Sequence, residues 1–140
     1  MLVGIDIGGT KTAVVLAENP TRILFREEFS TLPALGPDHA IEKIQELVEL
    51  GLSHLGPCAV LRIGVSCGGP LDRVRGIIQS PPNLSTWVNI PIKEILERKF
   101  GVPCQLENDA NAGGVAEHRY GAGEGCRDRL SQRLVWVHQR

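Results

Sequence analysis

Residues 2–16 read LVGIDIGGTKTAVVL: an apolar run, a Gly8-Gly9 turn and a second apolar run. A Gly-Gly pair between β-branched segments is a hairpin signal, because glycine supplies the positive φ that tight two-strand turns demand. The hairpin carries polar cargo. Asp6 interrupts an otherwise apolar strand near its end, and Thr10, Lys11 and Thr12 follow the glycines. A carboxylate beside a glycine turn is able to hold a hydrated Mg²⁺ while bare backbone N–H groups approach phosphate oxygens. An ordinary hairpin with a solvated Asp fits the same fifteen letters, so the stretch alone leaves both readings open.

Working outward, Arg22 to Phe29 predicts a third strand, with Ile23, Phe25 and Phe29 in partial alternation, and Thr31 to Pro37 a connection. Asp38 opens a helix in which Ile41, Ile44, Leu47, Val48 and Leu52 form one apolar stripe, ended by Gly51 or Gly56. Ala59 to Ser66 predicts a buried strand that runs into Cys67-Gly68-Gly69-Pro70, and Leu71 to Ile78 a small excursion turning before Gly76. Ser80-Pro81-Pro82-Asn83 is a rigid loop, since proline has no N–H to give a ladder. Pro91 to Phe100 predicts a helix closed by Gly101, with Ile92, Ile95, Leu96 and Phe100 on one face; Val102 to Glu107 predicts a strand and Ala110 to Arg119 a helix. Three strands followed by alternating helices and strands give an α/β fold: a mixed sheet, antiparallel in its first three strands, with flanking helices. Ligands of such sheets gather at strand ends, where the polar and glycine-rich segments lie here.

Composition narrows the function classes. The chain has 140 residues, 42% apolar and 22% charged, with a net charge of −1, which offers no electrostatic case for nucleic acid or an anionic membrane. Aromatics at 4% are too few for a single-strand stacking platform. No apolar run approaches the roughly 20 residues of a membrane helix, and no basic region precedes the first apolar run, so a cytoplasmic protein is expected. Cys58, Cys67, Cys104 and Cys126 form no C-x-x-C pair and read as reduced, mostly buried thiols. His39, His54, His118 and His138 are isolated, so no zinc site is expected. Residues 127–140 carry four arginines against one Asp, net +3 of the chain's −1, which leaves about −4 for the first 126 residues. The expected organisation is a domain over 1–126 and an atypical basic tail over 127–140, the mark of a truncated or frameshifted chain end.

Three motifs compete for phosphate chemistry. Gly4 to Thr12 nearly fits a P-loop, but Thr10 intrudes between Gly9 and Lys11, and β-branched residues follow where a helix should open. Gly121, Gly123 and Gly125 do not make the dinucleotide fingerprint. Glu107-Asn108-Asp109-Ala110-Asn111 ends a strand and opens a helix. Helix capping accounts for one of its polar side chains, and a carboxylate at that junction is also placed to accept a proton from a bound hydroxyl.

Taken together, Asp6-Ile7-Gly8-Gly9-Thr10, Gly68-Gly69-Pro70, Pro82-Asn83-Leu84 with Trp87, and Glu107-Asn108-Asp109-Ala110-Asn111 leading to Ala116-Glu117 resemble the ROK family over about residues 1 to 126. That family comprises sugar kinases such as bacterial glucokinases, together with related repressors. The resemblance implies a ribonuclease-H-like domain of the actin and hexokinase type, one of two with the active site between them. It implies that Asp6, Gly8, Gly9, Thr10 and Lys11 serve the ATP phosphates, with Asp6 near Mg²⁺. Asp109 would then deprotonate the sugar hydroxyl, Asn108 would hydrogen-bond the sugar, and Gly68 and Gly69 would admit it close to the backbone. Gly68 stands where many members carry Pro, which leaves sugar preference open. The family's second phosphate motif, sugar-binding Glu, zinc cluster and adenosine pocket have no counterpart in these residues. The expectation is therefore the N-terminal half of a hexose kinase using MgATP, inactive as an isolated chain, with a sugar as its partner and a homo-oligomer as the full-length form. A sugar-sensing regulator fragment of the repressor type and a stand-alone interaction module are the alternatives.

Overall fold

The computed structural model describes residues 1–109. The helix predicted over 110–119, the basic tail and Cys126 lie outside the described residues. The first strand, β1 (Leu2–Ile7), turns into β2 (Lys11–Asn19), which returns as β3 (Arg22–Ser30). Helix α1 (Pro37–Leu55) leads to β4 (Arg62–Cys67), a two-residue hairpin β5 (Leu71–Asp72) and β6 (Ile77–Ile78), helix α2 (Ile92–Phe100) and β7 (Cys104–Asn108). The main sheet has the order β3-β2-β1-β4-β7. Its β3-β2-β1 half is antiparallel, while β1, β4 and β7 run parallel, as the element order predicts.

Register decides which side chains meet. Val3, Ile5 and Ile7 lie opposite Leu16, Val14 and Thr12 of β2 and opposite Ile63, Val65 and Cys67 of β4. All nine are buried, and all but Thr12 form, with Cys104 and Leu106, the sheet side of one hydrophobic core. Both helices cover this face. Ala40, Ile41, Ile44, Leu47 and Val48 come from α1, and Ile92 and Leu96 from α2; the predicted Leu52, Ile95 and Phe100 pack half-buried at the margin. Burying each such aliphatic side chain is worth about 1.5–3 kcal/mol. Leu84 and Trp87 also belong to this core, so the Pro82-Asn83-Leu84…Trp87 segment is anchored by apolar burial rather than by proline stiffness alone. Period two then puts Asp6, Ser66 and Glu107 on the opposite face, in one cross-strand row.

The glycine punctuation is borne out at Gly101, whose left-handed φ of 67° closes α2 as its N–H bonds to the Glu97 carbonyl. Helix α1 ends at Gly56 (φ 79°) and not at Gly51, which lies buried within it. A Cβ on Gly51 would stand 2.8 Å from Phe25 Cδ1 and 3.1 Å from Leu16 Cδ1, so this glycine lets α1 press onto the sheet. The fourth strand starts at Arg62 rather than Ala59. Residues before it are still tied to the start of β1, because the Met1 ammonium donates to the Ala59 carbonyl and Leu61 N–H to the Met1 carbonyl. Cys67 and Cys104 are buried as expected, whereas Cys58 is exposed.

Candidate functional site

Because β1, β4 and β7 are parallel, their C-terminal ends arrive together. Asp6, Ser66 and Glu107 are paired in register there, one step before Ile7, Cys67 and Asn108. Asp6 is exposed, and Ser66 Oγ donates to its Oδ1 at 2.8 Å, fixing the carboxylate's rotamer from the neighbouring strand. Exposed Asp109 follows β7, with Oδ2 3.7 Å from where a Gly68 Cβ would stand. The Cys67 thiol, buried between them, is pushed up to about 12 by burial and by the negative charges of Asp109 and Asp6. The strand order puts the end of β4, with Cys67, between Asp6 on β1 and Asp109 after β7. At that pKa Cys67 is an inert core thiol.

The Gly8-Gly9 turn differs from its sequence reading. Neither glycine takes a left-handed φ. They are needed for their missing side chains. Gly8 N–H donates to the Lys11 carbonyl at 3.0 Å, and a Gly8 Cβ would lie 2.8 Å from that oxygen. A Gly9 Cβ would lie 2.5 Å from Asn83 Cβ and 3.0 Å from the Asn83 carbonyl. The turn is therefore seated on the short 3-10 turn Pro82–Leu84. Buried Thr31 pins it from the other side: its N–H donates to the Thr10 carbonyl and its hydroxyl to the Gly8 carbonyl at 2.7 Å. Since the Thr31 proton is committed there, the Thr12 hydroxyl donates to Thr31 Oγ1 across 2.8 Å. Thr10 is exposed at the tip. Lys11 Nζ sits 3.9 Å from Glu28 Oε2, a solvent-exposed pairing of small energetic weight.

The loop after β4 meets the end of β7. Asn108 Nδ2 stands 3.1 Å from the Cβ position of Gly69, so glycine lets the amide lie against this backbone without being displaced. The Gly69–Pro70 peptide is cis. Glu107 is buried, and its Oε2 pairs with Arg73 Nη1 at 3.0 Å while its Oε1 accepts the Asn108 N–H at 3.0 Å. Thr31, Ser66 and Arg73 were absent from the sequence-based site. Each acts across 23 to 60 residues of chain, and no local pattern marks such contacts.

No group of three or more His, Cys, Asp or Glu side chains fit for a metal occurs among the described residues. The donor set does suit Mg²⁺, which binds through one or two carboxylates plus phosphates and waters rather than an all-protein cage. Exposed Asp6, held by Ser66, meets that requirement.

A five-stranded sheet of this order, with a glycine hairpin between β1 and β2 and acidic ends on β1 and β7, defines a domain of the hexokinase fold. The chain belongs to the ROK family, whose model matches residues 2–134. It is 34% identical over 125 residues to a glucokinase of Thermotoga maritima, covering 89% of this chain and 38% of that protein. A ROK hexokinase structure from Thermus thermophilus superposes with a TM-score of 0.76 at 37% identity, over 89% of this chain and 40% of the other. A ROK glucokinase from Streptomyces griseus, solved with glucose and AMPPNP, gives 0.75 at 34%, over 89% and 38%. A xylose repressor of Caldicellulosiruptor bescii is 26% identical over 122 residues, covering 86% of this chain and 30% of its own length. The chain thus spans about two fifths of the length of the kinases it matches. No described helix is long and apolar enough to cross a membrane.

Proposed function

We propose that this chain forms the sugar-binding side and the first phosphate-binding side of an ATP-dependent hexose kinase. The carrying observation is that the parallel register brings Asp6 and Asp109 to either side of the end of β4, with Asn108 laid against Gly69. In this reading Asn108 hydrogen-bonds the sugar, and Gly68 and Gly69 let the ring approach the backbone. Asp109 accepts the proton of the attacking hydroxyl, and general-base action of this kind contributes typically ~10²–10⁴ in rate. The turn at Gly8, Gly9 and Thr10 presents its backbone, with Lys11, to ATP phosphates. Asp6 would hold Mg²⁺ through water; bound there, the ion would supply charge neutralisation on the phosphates. The similarity to a glucokinase solved with glucose and AMPPNP supports both ligand classes.

Calorimetric titration of the 140-residue chain with glucose, mannose and N-acetylhexosamines tests the sugar side. Binding that disappears in Asn108→Ala supports the assignment; binding indifferent to that substitution overturns it. Coupled ATP turnover tests the chemistry. The 140-residue chain is expected to turn over negligibly, and a longer chain that carries the rest of the nucleotide site is expected to lose at least ~10²-fold on Asp109→Ala. The xylose-repressor relative favours a second reading, a sugar-sensing regulator. Sugar binding without ATP turnover in such a longer chain, together with retardation of operator DNA, selects it.

A further inference from the structure

We propose that Arg73 is a positioning residue that acts through Glu107 to fix the Asn108–Asp109 junction. Arg73 lies just beyond β5, in the turn of the β5–β6 hairpin, and its guanidinium reaches the end of a strand 34 residues further on. The Glu107 side chain is 5% exposed and that of Arg73 37%, so the pair joins a buried anion to a cation at the surface. The two carboxylate oxygens of Glu107 have different tasks. Oε2 faces Arg73, and Oε1 receives the N–H of Asn108, the next residue along the chain. Holding the first oxygen orients the second. The orientation of the second sets the peptide plane from which the Asn108 and Asp109 side chains depart. The hairpin that carries Arg73 follows directly on Gly68-Gly69-Pro70, and Asn108 Nδ2 already lies 3.1 Å from the Gly69 Cβ position. Residues 107–109 are therefore gripped twice by one short segment, at Gly69 by contact and at Arg73 by charge.

Electrostatics gives the same assignment. Asp6, Glu107 and Asp109 bring three carboxylates to one strand end. Asp6 and Asp109 are exposed, whereas Glu107 is buried and needs a countercharge. Arg73→Met removes the cation that faces Oε2 and with it one of the bonds that orient the Glu107 carboxylate. A carboxylate less firmly oriented holds the Asn108 N–H less firmly through Oε1.

The role of Arg73 rests on the reading of Asn108 and Asp109 as sugar-contacting residues only for its consequence in binding, so the test has two separable readouts. The first is amide hydrogen exchange of the 140-residue chain, followed by NMR. Arg73→Met keeps an unbranched stem and removes the charge. It is expected to speed Asn108 exchange at least tenfold while Ile5 in β1 is unchanged, and Arg73→Lys is expected to recover part of the protection. Glu107→Gln, which keeps an acceptor but offers no charge to Arg73, should reproduce the effect of Arg73→Met. Unchanged Asn108 exchange in either variant overturns the proposal. Equal acceleration at Asn108 and Ile5 also overturns it, because Arg73 would then be only a structural support. The second readout is glucose affinity, expected to weaken at least fivefold in Arg73→Met. Glucose binding equal to wild type despite faster Asn108 exchange overturns the positioning role. If wild type binds none of the sugars, the kinase reading falls and the exchange data alone decide whether Arg73 fixes the junction.

Discussion

Replacing Gly9 with alanine tests the claim that this glycine is selected for contact and not for backbone freedom. Its φ lies outside the left-handed region, so alanine meets no conformational penalty there. The smaller unfolded ensemble of alanine even favours folding by about 0.4–1 kcal/mol. Against this stands the new methyl, 2.5 Å from Asn83 Cβ and 3.0 Å from the Asn83 carbonyl. Carbon pairs prefer about 3.5–4.0 Å, so the hairpin turn and the Pro82–Leu84 turn must separate by roughly 1 Å. Neither atom ends a flexible side chain, and both turns are tied elsewhere, one by Thr31 and the other by buried Leu84 and Trp87. Overpacking of this kind costs about 1–3 kcal/mol, so the net loss is expected at about 1–2 kcal/mol. Urea unfolding followed by circular dichroism should show a lower midpoint at unchanged m-value, and heating a Tm lower by roughly 4–8 °C. Asn83→Gly removes the closest atom. In that background Gly9→Ala should cost little, giving a coupling of about 1 kcal/mol. Wild-type stability for Gly9→Ala, or the same cost with and without the Asn83 side chain, would refute the packing account.

Two further outcomes follow from the core. Gly51→Ala gains about 1 kcal/mol of helix propensity but puts a methyl 2.8 Å from Phe25 Cδ1 and 3.1 Å from Leu16 Cδ1. Half-buried Phe25 is able to swing aside and fully buried Leu16 is not, so a net loss of about 0.5–2 kcal/mol is expected by denaturant unfolding, smaller in a Phe25→Ala background. Alkaline stability reports the buried thiols. Burial pushes Cys67 and Cys104 from 9.0 up to about 12, so the unfolded chain releases these protons first. Stability from each thiol is complete below pH 9, falls by about 1.4 kcal/mol per unit as pH rises, and is spent near pH 12. Cys104→Ala should flatten the slope of stability against pH by that amount; an unchanged slope would contradict the assignment.

Much of the fold was legible because periodicity reports burial directly. The α1 stripe of Ile41, Ile44, Leu47 and Val48 is buried as read, and Gly101 caps α2 by the backbone conformation that glycine alone takes readily. The glycines that misled did so for one reason. Gly8, Gly9 and Gly51 have φ values that other residues adopt freely, and they are glycine because of what presses on them from elsewhere in the chain. Sequence shows the residue type and hides the neighbour. Asp6, Asn108 and Asp109 were legible as polar residues at strand ends, and the parallel register gathers those ends. Ser66, Thr31 and Arg73 were not, since a serine in an apolar strand, a threonine in a connection and an arginine in a turn are each ordinary until their partners are known.

These long-range contacts bear on what the opening hairpin does. A glycine-rich turn is commonly a flexible cover, and here Gly8 and Gly9 are fixed from three sides: by Thr31 on the Gly8 carbonyl, by Asn83 against Gly9, and by the Gly8 to Lys11 bond within the turn. On the facing side Gly69 and Arg73 fix Asn108 and Glu107. Two rigid lips, rather than one rigid wall and one mobile loop, then bound the end of the sheet. Phosphoryl transfer is governed by positioning and by charge already in place, and reorganising a loose turn at the moment of reaction would raise the barrier. Around these two lips Asp6, Thr10, Lys11 and Asp109 are exposed, Asp6 with its carboxylate held by Ser66. In the proposed reading these four are also the groups that a phosphate, its cation and a sugar hydroxyl would address, presented from backbone that is already in place.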